Sequence, residues 1–556
     1  MKKKVSLLCS VLLFISVLAS CQNTANSSGD SSSAAQKSSG AAEVSMAPTA
    51  DEPGWKKNTE PVSFDWYINF SWYKPADSST MISKYLKEKT GVSINFIVPA
   101  GNENEKLNTM IAGGSLPDMV TINATDDSIR QIIEADLAYS LNDLADQYDP
   151  YFYKVADKEV LDWYAQPDGK TYGYNNSYAV SSDYTEKPET IETQQTFLVR
   201  KDMYEAIGKP DMRTPEGFLK ALEQAKAKYP EINGQPLIPF GMHEFSDIGN
   251  YSLDAFLQNF LAIPMVDAEN KLVDRRENPE YLTWLKTLRT ANEKGLISSD
   301  VFIDKRAQID EKIAQGRYFS MLYQKSDIVS GQTARYLEDQ DTVYIAVDGM
   351  FNSKLEQPAL NGTSITGWTQ SLITKNCKHP DRAIQLFTYW ISDEGQRDLY
   401  LGKEGESWDM VDGKEVMKPE LKEMLVNDRD EHDKVVGMDP LWMLRIDTKI
   451  HQWKPEKVDY LKQMDDWTVG KAVNYAAFDN IAPPTDSKEG IIDTKIKQEW
   501  GLVLPKLILA ESEEAFDNLF QEFIQTKQKL GYDQLMEYQQ KKYEENLKKL
   551  PVSVKR

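Results

Sequence analysis

Val62-Ser63-Phe64-Asp65-Trp66-Tyr67-Ile68 alternates apolar with mixed residues at period two, the pattern of a β-strand with one face toward a core. An aromatic run follows, Asn69-Phe70-Ser71-Trp72-Tyr73-Lys74, and Pro75 closes it. Met81, Ile82, Tyr85 and Leu86 then recur at three-to-four spacing as far as Gly91, which predicts a helix with a glycine stop. Ile94 to Val98 reads as a second strand. Leu107, Met110 and Ile111 mark a second helix that halts at Gly113-Gly114, and Asp118 to Ile122 reads as a third strand. Strand, helix, strand, helix, strand with short connections is the signature of a parallel sheet in an α/β lobe. Ligands of such sheets sit beyond the carboxyl ends of the strands. Asn69 to Trp72 and Asn123 to Asp127 are therefore expected on the ligand side.

Upstream of this lobe the chain reads as an export and anchoring device. Lys2, Lys3 and Lys4 precede an apolar run from Val5 to Leu18, too short to span a bilayer but suited to the core of a signal peptide over residues 1–20. Leu18-Ala19-Ser20-Cys21 resembles a bacterial lipobox, which implies lipidation of Cys21 and a two-chain membrane anchor. Residues 21–54 are rich in Ser, Ala, Gly and Asn with almost no large apolar side chain, so they cannot offset their own ordering entropy and read as a disordered tether. The folded body is expected to begin near Trp55.

Composition narrows the function. The 556 residues leave room for two large lobes. A formal net charge of -22, more negative still without the basic first segment, argues against nucleic acid and against charge-driven adhesion to anionic lipid. Of the three cysteines, Cys9 lies in the signal, Cys21 takes the lipid and Cys377 remains, so no intramolecular disulfide is expected and Cys377 reads as inert. Beyond the signal no apolar run is long enough for a transmembrane helix.

Five stretches carry a family resemblance. Ala112-Gly113-Gly114-Ser115-Leu116-Pro117-Asp118-Met119-Val120 resembles the signature of extracellular solute-binding proteins of family 1, the lipoprotein receptors of ATP-driven sugar importers. Val199-Arg200-Lys201-Asp202-Met203 with Thr214-Pro215-Glu216, then Gly295-Leu296-Ile297, then Ile373 through His379-Pro380-Asp381-Arg382-Ala383 to Asp393-Glu394-Gly395 follow in the expected order. Gly402-Lys403-Glu404-Gly405-Glu406-Ser407-Trp408 is similar to the large oligosaccharide-type subgroup. The resemblance implies a type II periplasmic-binding-protein-like fold: two α/β lobes, a ligand cleft between them, and several chain crossings that act as a hinge. The expected first lobe spans 55–180 plus 371–440, and the second spans 181–370 plus 441–556. A permease and an ATPase are implied as partners, with a monomeric receptor held at the extracellular face of the cytoplasmic membrane of a Gram-positive-type bacterium.

Many relatives carry a calcium loop after the helix equivalent to 215–229. Here Glu231-Ile232-Asn233-Gly234-Gln235-Pro236 lacks the row of carboxylates a hard cation needs, so no calcium is expected there. Asp267-Ala268-Glu269-Asn270 lacks the glycine and terminal glutamate of an EF-hand and reads as a hairpin turn. No metal site and no cofactor are expected.

Catalysis finds no constellation. His243, His379, His432 and His451 are far apart without zinc spacing, no nucleophile elbow or phosphate loop is present, and 86 acids make a carboxylate pair uninformative. Carbohydrate binding fits better, because indoles and phenols stack on the C–H faces of sugars while planar polar groups satisfy the hydroxyl rim. With 12 Trp and 27 Tyr available, the candidates are Trp72, Asn123, Tyr174, Trp368 in Gly367-Trp368-Thr369, Trp408, and Trp442 with Arg445. His243, after a strand end, is a secondary candidate. Trp284, Trp390 and Trp467 follow helical stripes and read as packing residues. The expected function is capture of an oligosaccharide and its delivery to an importer. The alternatives are a surface glycan-capture lipoprotein without a transporter and a lipid-anchored polysaccharide-degrading enzyme.

Overall fold

The computed structural model describes residues 50–454 and 457–550. The signal segment, Cys21 and most of the expected tether lie outside the described residues.

Two main sheets are built from β1 (Val62–Ile68), β2 (Val92–Ile97), β3 (Met119–Asn123), β4 (Gly173–Asn175), β5 (Gln195–Arg200), β6 (Ile238–Met242), β7 (Tyr318–Gln324), β8 (Tyr344–Ala346) and β9 (Thr369–Ile373). The first sheet runs β2-β1-β3-β9-β4 and the second β8-β5-β7-β6. β1 pairs in parallel with β2 and β3, as the strand-helix-strand reading of residues 62–122 requires. β9 arrives from the other lobe and inserts antiparallel between β3 and β4. In the second sheet β7 is parallel to β6, whereas β5 lies antiparallel to β7.

Local chemistry accounts for the helix boundaries. The helix Met81–Thr90 starts where the Thr80 hydroxyl accepts the Ser83 N–H, and it ends on Gly91 at φ 72°, a left-handed cap. Pro215–Lys228 is capped by Thr214, with Pro215 in the first turn where its missing N–H costs nothing. In Pro380–Ile391 every residue from Arg382 onward is buried, and Trp390 stacks on Trp66 of β1 with ring centroids 5.3 Å apart. The hairpin at 231–236 turns through Asn233 and Gly234, both at positive φ, and 267–271 closes as a tight turn with Asp267 N–H donating to the Lys271 carbonyl.

Each sheet has its own core. One gathers Phe64, Trp66, Ile373, Phe387 and Trp390; the other gathers Phe197, Phe218, Phe240, Trp284 and Leu322. Residues 441–450, expected in the second lobe, belong to the first: Leu441, Trp442, Met443, Leu444, Ile446 and Ile450 are all in its core. The cause is Gln396, fully buried, whose amide donates to the Leu444 carbonyl at 2.9 Å and accepts the Ile446 N–H at 2.7 Å. The C-terminal helix Tyr532–Lys549 is also shared, with Leu535 on the second core and Tyr543 on the first.

The crossings between lobes set the geometry of the site. Chain entering the second sheet joins β5 at Gln195, which pairs with Gln324 at the carboxyl end of β7. Chain returning to the first sheet joins β9 at Thr369, which pairs with Asn123 at the carboxyl end of β3. Both sheets therefore turn the carboxyl ends of their parallel strands to the crossings, where Thr193 and Gly362 bridge to each other.

Candidate ligand site

The first lobe presents an aromatic platform at its carboxyl edge. After β1 the chain turns tightly, with Phe70 N–H donating to Ile68 O at 2.8 Å and Tyr73 N–H to Phe70 O at 3.0 Å. This turn buries Phe70 and Tyr73 and leaves Trp72 57% exposed. Trp72 stacks on Trp368 (centroids 5.9 Å, 11° between planes) and on Trp442 (6.1 Å, 25°), and those two indoles lie 4.5 Å apart. Phe70 supports the group from below at 5.5 Å from Trp368 and 5.8 Å from Trp442. Three indoles from segments far apart in the chain, Trp72, Trp368 and Trp442, form one surface.

Asn176 and Gly367 hold that surface in place. The fully buried Asn176 donates from its side chain to the Trp442 carbonyl at 2.9 Å, accepts the Trp368 N–H on its backbone oxygen at 3.2 Å, and accepts the Thr369 N–H on its side-chain oxygen at 2.8 Å. Gly367 has φ +65°, and a Cβ there would stand 2.1 Å from the Asn176 oxygen. Only glycine fits. The Gly-Trp dipeptide therefore has a steric cause.

Arg445 stands next to Trp442 in sequence, half-buried between Asp439 and Asp447 at 4.0 and 3.6 Å. Its Nε is buried without a hydrogen-bond partner among the described residues. Burial disfavours the Asp439 charge, yet Arg429 and then Arg445 hold that carboxyl below the usual range. Asn123 is half-buried and forms an Asx turn, accepting from the Thr125 N–H and hydroxyl. Asp127 is spent on Arg130 and the Thr485 hydroxyl.

Two candidates lie elsewhere. Tyr174 is fully buried on β4, its hydroxyl accepting the Asp157 N–H and meeting the Tyr178 hydroxyl, each at 3.0 Å. Trp408 is 2% exposed, its indole N–H donates to the Gly402 carbonyl at 2.9 Å, and the Arg397 guanidinium covers its face. Both have their polar handles satisfied inside the first lobe and present no face at the platform. Trp284 and Trp390 are buried, and Trp467 stacks on Phe260.

The second lobe offers a different edge. His243 follows β6 and stacks on Tyr323 of β7 at 4.3 Å, while Tyr251, 55% exposed, meets it edge-on at 5.4 Å. Arg306 Nη1 donates to Asp327 Oδ2 at 2.6 Å beside them. Tyr323 and Asp327 carry no sequence signal beyond a strand end. A separate cavity of about 1160 Å³, bounded by Lys56, Asp393, Glu394, Arg397, Glu415 and Lys449 among others, shares no residue with the platform. Its charges cancel in pairs, Lys56 with Glu394 at 2.8 Å and Lys449 with Asp393 at 2.9 Å, so it offers no net field to a ligand.

Residues 80–404, more than half the chain, match the family model described as bacterial extracellular solute-binding protein. The chain belongs to that family. The family is one of solute-binding proteins rather than enzymes. It is 27% identical over 235 residues to the fructooligosaccharide ABC transporter substrate-binding protein FusA of Streptococcus pneumoniae, covering 40% of this chain and 42% of FusA. It is 23% identical over 248 residues to lipoprotein LipO of Bacillus subtilis, covering 44% of this chain and 46% of LipO. The chain thus aligns with less than half the length of either relative. Among solved structures, FusA in complex with kestose superposes with TM-score 0.67 at 18% identity over 88% of this chain and 100% of that one. The alginate-binding protein AlgQ2 without calcium gives 0.66 at 17% over 89% and 100%. These likenesses establish the two-lobed solute-binding fold. Among the described residues, no helix of this solute-binding protein is long and apolar enough to cross a membrane.

Proposed function

We propose that this solute-binding protein captures an oligosaccharide between its lobes, with Trp72, Trp368 and Trp442 as the stacking surface, and delivers it to an ABC importer. The observation that carries the proposal is the exposure of Trp72 on a stacked indole group at the carboxyl edge of the first sheet. An indole held in water by a rigid neighbour offers a sugar ring a flat face without a conformational penalty, since the rotamer is already selected. Arg445 and Asn123 supply polar groups for the hydroxyl rim. Tyr174 and Trp408 act through the scaffold instead. The relatives named as fructooligosaccharide-binding and polygalacturonan/rhamnogalacturonan-binding support a carbohydrate ligand. The net charge of -22 favours a neutral glycan over a polyanionic one.

Lipidation of Cys21 keeps the receptor at the membrane beside its permease, and residues 21–54 act as the tether. The lobes close on the ligand because it touches both, and the closed form is what the permease reads.

Thermal shift and calorimetry on the soluble fragment from Trp55 test the proposal, with kestose, nystose, maltotriose, Man5GlcNAc and trigalacturonate as probes. A neutral oligosaccharide is expected to raise the melting temperature by mass action, and Trp72→Ala to abolish the shift. No response to any glycan, or binding unaffected in Trp72→Ala and Trp368→Ala alike, overturns it. For the anchor, Cys21→Ala is expected to move the full chain from the membrane fraction to the medium.

A further inference from the structure

We infer that the second lobe carries a subsite for a ligand hydroxyl, formed by His243 Nε2 and the Tyr323 hydroxyl at the carboxyl ends of β6 and β7. The inference rests on the carbohydrate reading above. It begins with proton counting at Ser252. The Ser252 hydroxyl donates its one hydrogen to the Leu322 carbonyl at 2.6 Å. It therefore meets His243 only as an acceptor, taking the backbone N–H at 2.9 Å and the ring Nδ1 at 2.7 Å. Nδ1 must then carry the ring proton, which leaves Nε2 of a neutral imidazole as a bare lone pair.

That lone pair is buried and has no hydrogen-bond partner among the described residues; the same is true of the Tyr323 hydroxyl, whose ring stacks on the imidazole. Asp327 Oδ2 stands 4.0 Å from Nε2 and is itself an acceptor already engaged by Arg306. Asp327 has no hydrogen to give Nε2. Such an arrangement calls for a ligand that brings hydrogens. Arg306 at 2.6 Å from Asp327 opposes a cation or a metal ion at this point, and Asp327 opposes an anion. A neutral polyhydroxyl compound meets all of these conditions, with one hydroxyl donating to Nε2 and a neighbouring one shared with the Tyr323 hydroxyl. Burial, with help from Arg306, holds the imidazole pKa near 3, so the acceptor persists across the neutral range. The exposed Tyr251 ring forms an apolar lip beside it.

Two measurements test this. Nitrogen-15 NMR of the histidine-labelled protein is expected to show His243 protonated on Nδ1 only and unchanged from pH 5 to 8; protonation on Nε2, or titration in that range, overturns the inference without reference to any sugar. Calorimetry then compares the wild type with His243→Ala and Tyr323→Phe, using the tightest binder among kestose, nystose, maltotriose and Man5GlcNAc. His243→Ala is expected to weaken binding tenfold or more and Tyr323→Phe about fivefold, with Tyr323→Phe retaining the wild-type melting temperature. Binding by the wild type together with affinities within twofold for both variants overturns the subsite alone. No binding by the wild type overturns the carbohydrate reading and the subsite with it.

Discussion

The carboxyl edges of the two sheets face the same crossings but are built from opposite materials. The first lobe offers Trp72, Trp368 and Trp442, planar and stacked, with the backbones of Trp368 and Trp442 pinned by Asn176. The second offers His243 Nε2 and the Tyr323 hydroxyl, both buried without partners among the described residues and flanked by the Arg306–Asp327 pair. Stacking surfaces are tolerant, because every pyranose or furanose has an apolar face; a buried acceptor is selective, because it penalises any ligand that brings no hydrogen. On the proposed function, the first lobe supplies grip and the second supplies discrimination, and neither edge alone makes a specific site.

Mutations can break this division. The largest effect is expected far from either edge: Trp408→Ala removes a buried indole and should cost about 3–5 kcal/mol of stability, seen in chemical denaturation, while the ligand affinity of the folded protein stays within about twofold. A large affinity loss there would place Trp408 in the site after all. Trp368→Ala should do the reverse, weakening binding by about 2 kcal/mol or more, some thirtyfold in Kd, with a smaller change in stability, as calorimetry and melting would separate. Gly367→Ala should lower both readouts together, since the Cβ collides with the backbone oxygen of Asn176, the residue that holds Trp368 through that oxygen and Trp442 through its side chain. If only stability falls, the clamp does not set the platform.

The second lobe responds to pH. The His243 pKa falls from the usual 6.5 to about 3 because of burial and then Arg306, so between those values the unfolded chain holds a proton that the folded one lacks. Its contribution to stability is therefore full above pH 6.5 and declines as pH drops. Asp254, whose carboxyl burial raises to about 6 despite the Asn250 N–H and the Trp500 indole, acts oppositely between about 4 and 6. His243→Gln removes only the first effect, so its melting temperature relative to wild type should rise as pH falls from 7 to 4. A parallel pair of curves would mean that His243 is not buried neutral. The smallest change is sugar-side: a ligand analogue with one hydroxyl replaced by fluorine, which accepts but does not donate, should lose affinity toward the wild type and not toward His243→Ala.

Much of the first lobe was legible as sequence. β1 falls at the expected residues, and Gly91 and Pro380 there, like Thr214 in the second lobe, mark helix ends for reasons internal to their own turns. Trp72 and Trp368 were legible as aromatics off any helical stripe, because each stands beside a turn or a glycine. Trp408 fits that description equally well, yet it is buried, because a carbonyl six residues back satisfies its N–H and Arg397 covers its face. The packing of 441–450 on the first core was not legible, because Gln396, nearly fifty residues away, supplies hydrogen bonds to the backbone of 444–446. Tyr323 had no distinguishing neighbour, since a tyrosine in an apolar strand reads as core.

From sequence alone came the repeating strand and helix order of the first lobe, the caps, the absence of a disulfide framework and the family resemblance, all of which depend on interactions between near neighbours or on composition. Only the tertiary structure decided which aromatic rings meet, which side chains are left with an unused lone pair, and which lobe residues 441–450 join. Those outcomes depend on groups tens to hundreds of residues apart arriving at one place, and the spacing of residues along a chain does not encode the direction in which a side chain finally points.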